Sequence, residues 1–256
     1  MDKSALISIA RFTLKEAVNN RLFGLTLAGL LIMFGLTEFA GELAITESIE
    51  VRALLAGSSV RLFIVFTVSL FVITSMIREF NDKGFELILS LPIPRHSYFL
   101  GKMIGYMVLG ALFILAGGLL LLVYSQASWV MFWMLSLGCE LTIMIALSLL
   151  CLLTFSNVTV AFVTVMAFYF LARSMHVIQL VSRSPILEYH TVSQEFMNFL
   201  VNALAFVMPE LDRFTVSDWL LHGVSGPELV LVVVQTAIYV PLLVAAGLFD
   251  LYRKEL

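Results

Sequence analysis

The sequence predicts an all-α membrane protein with six transmembrane helices. Three observations predict it. Of the 256 residues, 61% are hydrophobic and 13% charged, against roughly 25% charged in an average soluble domain. Six apolar runs reach the ~20 residues that a helix needs to cross about 30 Å of hydrocarbon. The runs are continuous rather than alternating, which excludes a transmembrane barrel. Residues 1–256 therefore read as a single membrane domain with no room for a soluble enzyme domain.

The runs cover residues 22–39, 57–77, 101–124, 129–155, 158–181 and 227–249. Charge orients them. With both ends in the cytosol, ten Lys and Arg residues fall inside (Lys3, Arg11, Lys15, Arg21, Arg78, Lys83, Arg95, Lys102, Arg253, Lys254). Four fall outside (Arg52, Arg61, Arg183, Arg213), with Arg173 within a span. That is a positive-inside bias. Acidic residues crowd the outer side, from Glu38 and Glu42 to Asp218 and Glu228, and argue against a nucleic-acid partner there. Cys139 and Cys151 lie on one predicted helix with about 18 Å of rise between them, too far apart to bridge within one chain.

Residues 1–21 place Ile9, Phe12, Leu14 and Val18 among Arg11, Lys15 and Glu16. This suits a helix along the inner membrane surface, ending where Asn19-Asn20-Arg21 breaks the pattern; a plain basic retention flank fits equally. No cleavable signal is expected. Residues 39–56 read as an acidic outer connector, either solvated charge or an entrance for cations.

Residues 78–100 form the charged interruption that looks built. It opens on Arg78, Glu79, Asp82 and Lys83 and turns at Gly84. A short apolar stretch follows (Phe85, Leu87, Ile88, Leu91), then Pro92-Ile93-Pro94 and a basic exit at Arg95 and Lys102. The spacing predicts a helix of about two turns, ended by proline; an ordinary connector is the alternative. Gly101-x-x-x-Gly105 opens the third span, and small residues at this spacing let two helices approach closely.

Glu140 sits in the fourth span and Arg173 in the outer part of the fifth. Ionisable residues inside a membrane are candidates for a functional site. A pair between them across the hairpin is expected, functional or purely structural, unless Arg173 snorkels to the surface. The Ser156-Asn157 turn is short, so the two spans must be antiparallel neighbours. Asn157-Val-Thr159 matches a glycosylation sequon but faces the cytosol. Residues 182–226 form an outer helical hairpin. Phe199, Leu200, Ala203, Leu204 and Val207 continue an amphipathic period from Phe196. Pro209 turns the chain, and a second short helix over 217–221 ends near Gly223. Gly226-Pro227 begins the last span, which Pro241 is expected to kink.

No catalytic motif is present. The chain lacks a phosphate-binding Gly-rich loop, H-E-x-x-H, C-x-x-C and G-x-S-x-G. Its four histidines lack metal-ligand spacing, so neither catalytic residues nor a metal site is expected.

The order Glu79, Gly84, Leu91-Pro92-x-Pro94-Arg95, Gly101-Lys102 between the second and third spans resembles the signature of the type-2 ATP-binding-cassette exporter permeases. The resemblance extends to the amino-terminal helix, the six spans and the outer hairpin, where Pro209-Glu-Leu-Asp-Arg-Phe214 resembles a segment of that family. The Glu-Ala-Ala start of importers is missing. Within the family the chain is most similar to permeases of nitrous-oxide-reductase maturation. The resemblance implies that residues 78–100 hold a cytosolic coupling helix. Leu87, Ile88 and Leu91 would seat in an ATPase groove, and Glu79, Asp82, Glu86 and Arg95 would fix its orientation. It implies a bacterial inner membrane, a permease homodimer, a cytosolic ATPase dimer that binds the ATP and Mg, and room for an extracytoplasmic accessory protein. The apolar lining suits a lipid-like substrate. Two further readings stand: an ion-coupled carrier or channel using Glu140 and Arg173, and a structural membrane anchor.

Overall fold

The computed structural model describes residues 3–43, 48–82, 94–155, 157–183, 192–215, 219–223 and 226–253. Among these the chain is entirely helical. The elements are α1 (Lys3–Asn19), α2 (Arg21–Leu43), α3 (Ser48–Asn81), α4 (Arg95–Leu121), α5 (Ala127–Thr154), α6 (Val158–Arg183), α7 (Val192–Val207), a 3-10 turn (Arg213–Thr215), α8 (Trp219–His222) and α9 (Gly226–Arg253). Six of them, α2 to α6 and α9, are long and apolar enough to cross a membrane. Each contains or closely overlaps one of the six predicted runs.

Helix boundaries follow local chemistry. Asn20 Oδ1 accepts the Leu22 amide at 3.1 Å, so the predicted break at Asn19-Asn20 is an N-cap that starts α2. Asn157 Oδ1 accepts the Thr159 amide at 2.9 Å and starts α6 in the same way. Gly223 ends α8 with φ of 78°, a backbone region that glycine enters without steric cost. Hydroxyls inside the long helices turn back on their own backbone. Thr26, Thr142, Ser148 and Thr236 each donate to the carbonyl four residues earlier, at 2.7–2.8 Å. A hydroxyl with no water to meet is thereby satisfied.

The centre of the bundle is α5, which packs on α3, α4, α6 and α9. Its Trp133, Leu137, Ile143 and Met144 are completely buried, as are Ile64, Val68 and Val72 of α3. By contrast α2 and α9 expose large apolar side chains, among them Leu31, Ile32, Leu36, Ile238, Leu242 and Phe249. Such continuous apolar surface suits hydrocarbon as the solvent.

Two expectations change. The connector over 39–56 is almost all helix, because α2 runs to Leu43 and α3 starts at Ser48. Arg52 joins Glu38 at 3.0 Å and packs over Gly41, so these charges bind the two helix ends to each other. The amino-terminal helix forms, but its packing is against α4. Its small face packs on α4 at the glycine pair, where a Cβ on Gly101 would come within 2.9 Å of Ile9 and one on Gly105 within 2.7 Å of Thr13. The Gly-x-x-x-Gly spacing therefore does bring two helices together, with α1 as the partner. The segment after Pro209 turns as expected, and its Leu211 and Phe214 are completely buried.

Candidate functional site

Two polar centres stand out in this apolar chain, one at the loop between α3 and α4 and one deep in the bundle. The first closes the neck of the loop between α3 and α4. Glu79 lies in the last turn of α3, and Lys102 two turns into α4. The Lys102 ammonium, 1% exposed, meets the Glu79 carboxylate. The Tyr98 ring lies 5.9 Å from the same ammonium. Ser75, one turn before Glu79, donates to Glu16 of α1 at 3.2 Å. Three helices thus share one buried polar junction. A buried ammonium needs its counter-charge, because desolvation of an unpaired ion costs several kcal/mol.

The far side of the neck is tied by Arg95. Its Nη1 donates to the carbonyls of Leu251 at 3.1 Å and Tyr252 at 3.4 Å. The guanidinium lies 5.9 Å from the Tyr252 ring. These are carbonyls of the last turn of α9, which have no partner within their own helix. A cation there also opposes the helix dipole. A close approach nearby, of Phe99 to Gly247, fixes α4 against α9.

Of the residues that sequence reasoning assigned to the loop, Glu79 and Arg95 are thus placed in the neck, and Asp82 and Pro94 are exposed beside it. Gly84, Glu86, Leu87, Ile88, Leu91 and Pro92 lie outside the described residues, as does the two-turn helix predicted for them.

The second centre is a buried ion pair. Arg61 Nη1 meets Glu140 Oε2 at 2.8 Å, with side-chain exposures of 2% and 0%. The same nitrogen donates to the Phe214 carbonyl at 2.6 Å. Ser136 Oγ donates to that carbonyl at 2.5 Å. The Arg61 guanidinium also lies 5.2 Å from the Trp133 ring centre. This pair corrects two expectations. Glu140 pairs with Arg61 of α3 and not with Arg173, whose Nη1 donates to Tyr169 of its own helix at 2.9 Å. Arg61, assigned to the outer flank, is inside the bundle. The reason is depth: α3 begins at Ser48, so Arg61 lies thirteen residues into its helix, as Glu140 lies thirteen into α5 from Ala127. Both sit about 20 Å below the helix starts.

The carbonyl that Arg61 and Ser136 hold belongs to the predicted turn Pro209–Phe214. Other bonds tie the same region down. Ser125 Oγ donates to the Leu220 carbonyl at 2.5 Å, and Trp219 Nε1 to Glu228 at 3.2 Å. This end is a packed cap. Sequence reasoning missed Arg61 as its anchor. The available signal was an arginine in an apolar stretch with a lone glutamate at matching depth on another span.

Among the described residues no group of three His, Cys, Asp or Glu side chains converges on a metal position. Cys139 and Cys151 are free thiols on α5. No known family model matches this sequence, and no curated protein matches it significantly.

Proposed function

We propose that this chain is the membrane-spanning subunit of an ATP-driven exporter of the type-2 ATP-binding-cassette kind, with a lipid-like or amphiphilic substrate. Two copies would pair, and a separate dimeric ATPase would bind ATP and Mg and dock on the coupling loop over residues 78–100. The membrane would be a bacterial inner membrane, with both termini in the cytosol.

The observation that carries this reading is the clamping of the loop neck. Glu79 and Lys102, the first and last residues of the sequence pattern, meet as a buried ion pair. Arg95 ties the start of α4 to the end of α9, and Gly101 and Gly105 seat α1. A push on the loop then moves α3, α4, α1 and α9 together rather than bending one helix. A passive connector has no need of such bracing. For an ion-coupled carrier, Glu140 is already neutralised by Arg61, which leaves that reading with less support.

The test is purification from native membranes. A stoichiometric ATPase subunit is expected with the wild-type chain. Glu86→Lys and Leu87→Asp should lower ATPase association or transport while leaving membrane insertion intact. A lone chain that carries out gradient-driven flux would overturn the reading.

A further inference from the structure

Between α6, α7 and α9, near the buried cap, lies a two-part cleft that the exporter reading does not use. One part, about 420 Å³, is polar. Gln179 of α6, Asn202 of α7 and Gln235 of α9 face it, together with Glu210 and Tyr239. The other part, about 550 Å³, is an apolar trough. Leu231, Val234, Ile238 and Leu242 form its floor along one face of α9, and Phe206 and Val207 form its rim. The floor is about 16 Å long. Phe206, Glu210, Gln235 and Tyr239 line both parts, so the two are continuous.

We infer that this cleft binds an amphiphile with a neutral, hydroxyl-bearing head, of glycolipid type, its chain lying along α9. The chemistry of the lining selects the class. None of the three carboxamides has a side-chain hydrogen-bond partner among the described residues, and Gln235 lies nine residues into α9 in a largely apolar run. A carboxamide both donates and accepts, as a hydroxyl does. Each amide left unmatched in a membrane costs free energy. The two charged groups at the site, Glu210 and Arg213, neutralise each other at 2.5 Å. Among the described residues lining the cleft, no unpaired cation is left for a phosphate and no unpaired anion for an ammonium. The apolar trough takes a hydrocarbon chain, and exposed Phe206 (89%) and Val207 (70%) give it an open side.

This site supplies a head-group chemistry for the amphiphile of the exporter reading. It rests on that reading only for its part in transport, since binding needs no ATPase. The experiment therefore uses the full chain alone, in phosphatidylcholine nanodiscs. The probe is an alkyl glucoside with a photoreactive diazirine in its tail, and labelled peptides are mapped by mass spectrometry. Saturable labelling within residues 231–242 is expected, competed by unlabelled alkyl glucoside and not by an alkyl phosphate of equal chain length. Asn202→Leu with Gln235→Leu should weaken binding at least about tenfold, the equivalent of one or two hydrogen bonds. Gln235→Glu, which keeps the shape of the side chain, should weaken it as well. Gly24→Val, on α2 with open space around its Cα, should leave it unchanged. Equal competition by the alkyl phosphate would overturn the head-group assignment. Labelling that rises without saturation would mark ordinary surrounding lipid and overturn the site. Undiminished binding in both Gln235 variants would do the same. A chain that binds the glucoside yet never associates with an ATPase would sink the exporter reading and leave this one standing.

Discussion

Arg61 of α3 reaches Glu140 of α5 at 2.8 Å in the middle of the bundle, and the same guanidinium nitrogen holds the Phe214 carbonyl at 2.6 Å. One side chain thus joins two membrane-crossing helices to the cap that closes their end. Arg61→Met removes the counter-charge and leaves Glu140 buried without a partner. The expected loss is about 3–5 kcal/mol of stability, as for other broken buried pairs. The double variant Arg61→Met with Glu140→Met should recover most of it, since two apolar side chains carry no desolvation penalty. Thermal unfolding in detergent reads both. The single variant should also loosen the segment 209–215 to proteolysis, and the double variant should keep part of that loosening because Ser136 alone then holds the Phe214 carbonyl.

The neck of the loop makes a different kind of prediction. Lys102→Met should lower stability through the unpaired Glu79, and Glu79→Gln added to it should restore much of the loss. Under the exporter reading, the double variant should still co-purify with its ATPase, because Leu87, Ile88 and Leu91, which would seat the coupling helix in the ATPase groove, are untouched. Its transport per ATP consumed should fall, because the brace between α3 and α4 is gone. Full transport by this double variant would show that the junction only stabilises the fold.

The contrast between these two centres explains what was legible in the sequence. The six spans were legible because hydrocarbon demands long apolar runs. The break at Asn19-Asn20, the turn at Ser156-Asn157 and the stop at Gly223 were legible because such signals are local. The loop neck was half legible: Glu79 and Lys102 stood out by type, while their contact depends on how α3 and α4 come together. The partner of Glu140 was not legible. Pairing across helices depends on depth, and depth depends on helix starts, which an acidic stretch such as 39–56 obscures. Phe214 was read as part of a turn because nothing local shows that a backbone carbonyl will be held by side chains more than seventy residues away.

Tyr124, in the turn between α4 and α5, donates its hydroxyl to Glu38 of α2. Burial first, and the Glu38 carboxylate second, hold this phenol well above its ordinary value. An unfolded chain would ionise it near pH 10. Above that pH the unfolded state has released a proton that the folded state keeps, so stability falls as pH rises. The stabilising share of this residue is therefore fully present below pH 10 and lost through the alkaline range above it. Tyr124→Phe should flatten that part of the stability profile. The difference in phenolate absorbance between wild type and variant should show one tyrosine that titrates late. Ionisation of Tyr124 at its ordinary pH would contradict the contact with Glu38.

The seating of α1 on α4 can be tested by adding bulk where none fits. A Cβ at position 105 would stand 2.7 Å from the Thr13 Cβ and 3.0 Å from the Ala10 carbonyl oxygen. Backbone cannot yield as a flexible side-chain tip can, so Gly105→Val must push α1 away. Overpacking of this kind costs about 1–3 kcal/mol. Gly24, which has open space around its Cα, provides the control: Gly24→Val should change little. Protease cleavage within residues 3–19 should rise in the first variant and not in the second. If α1 braces the loop neck through Glu16 and Ser75, the first variant should also lose transport in parallel with that cleavage. An α1 that stays protected in Gly105→Val would mean that the glycine pair does not seat it.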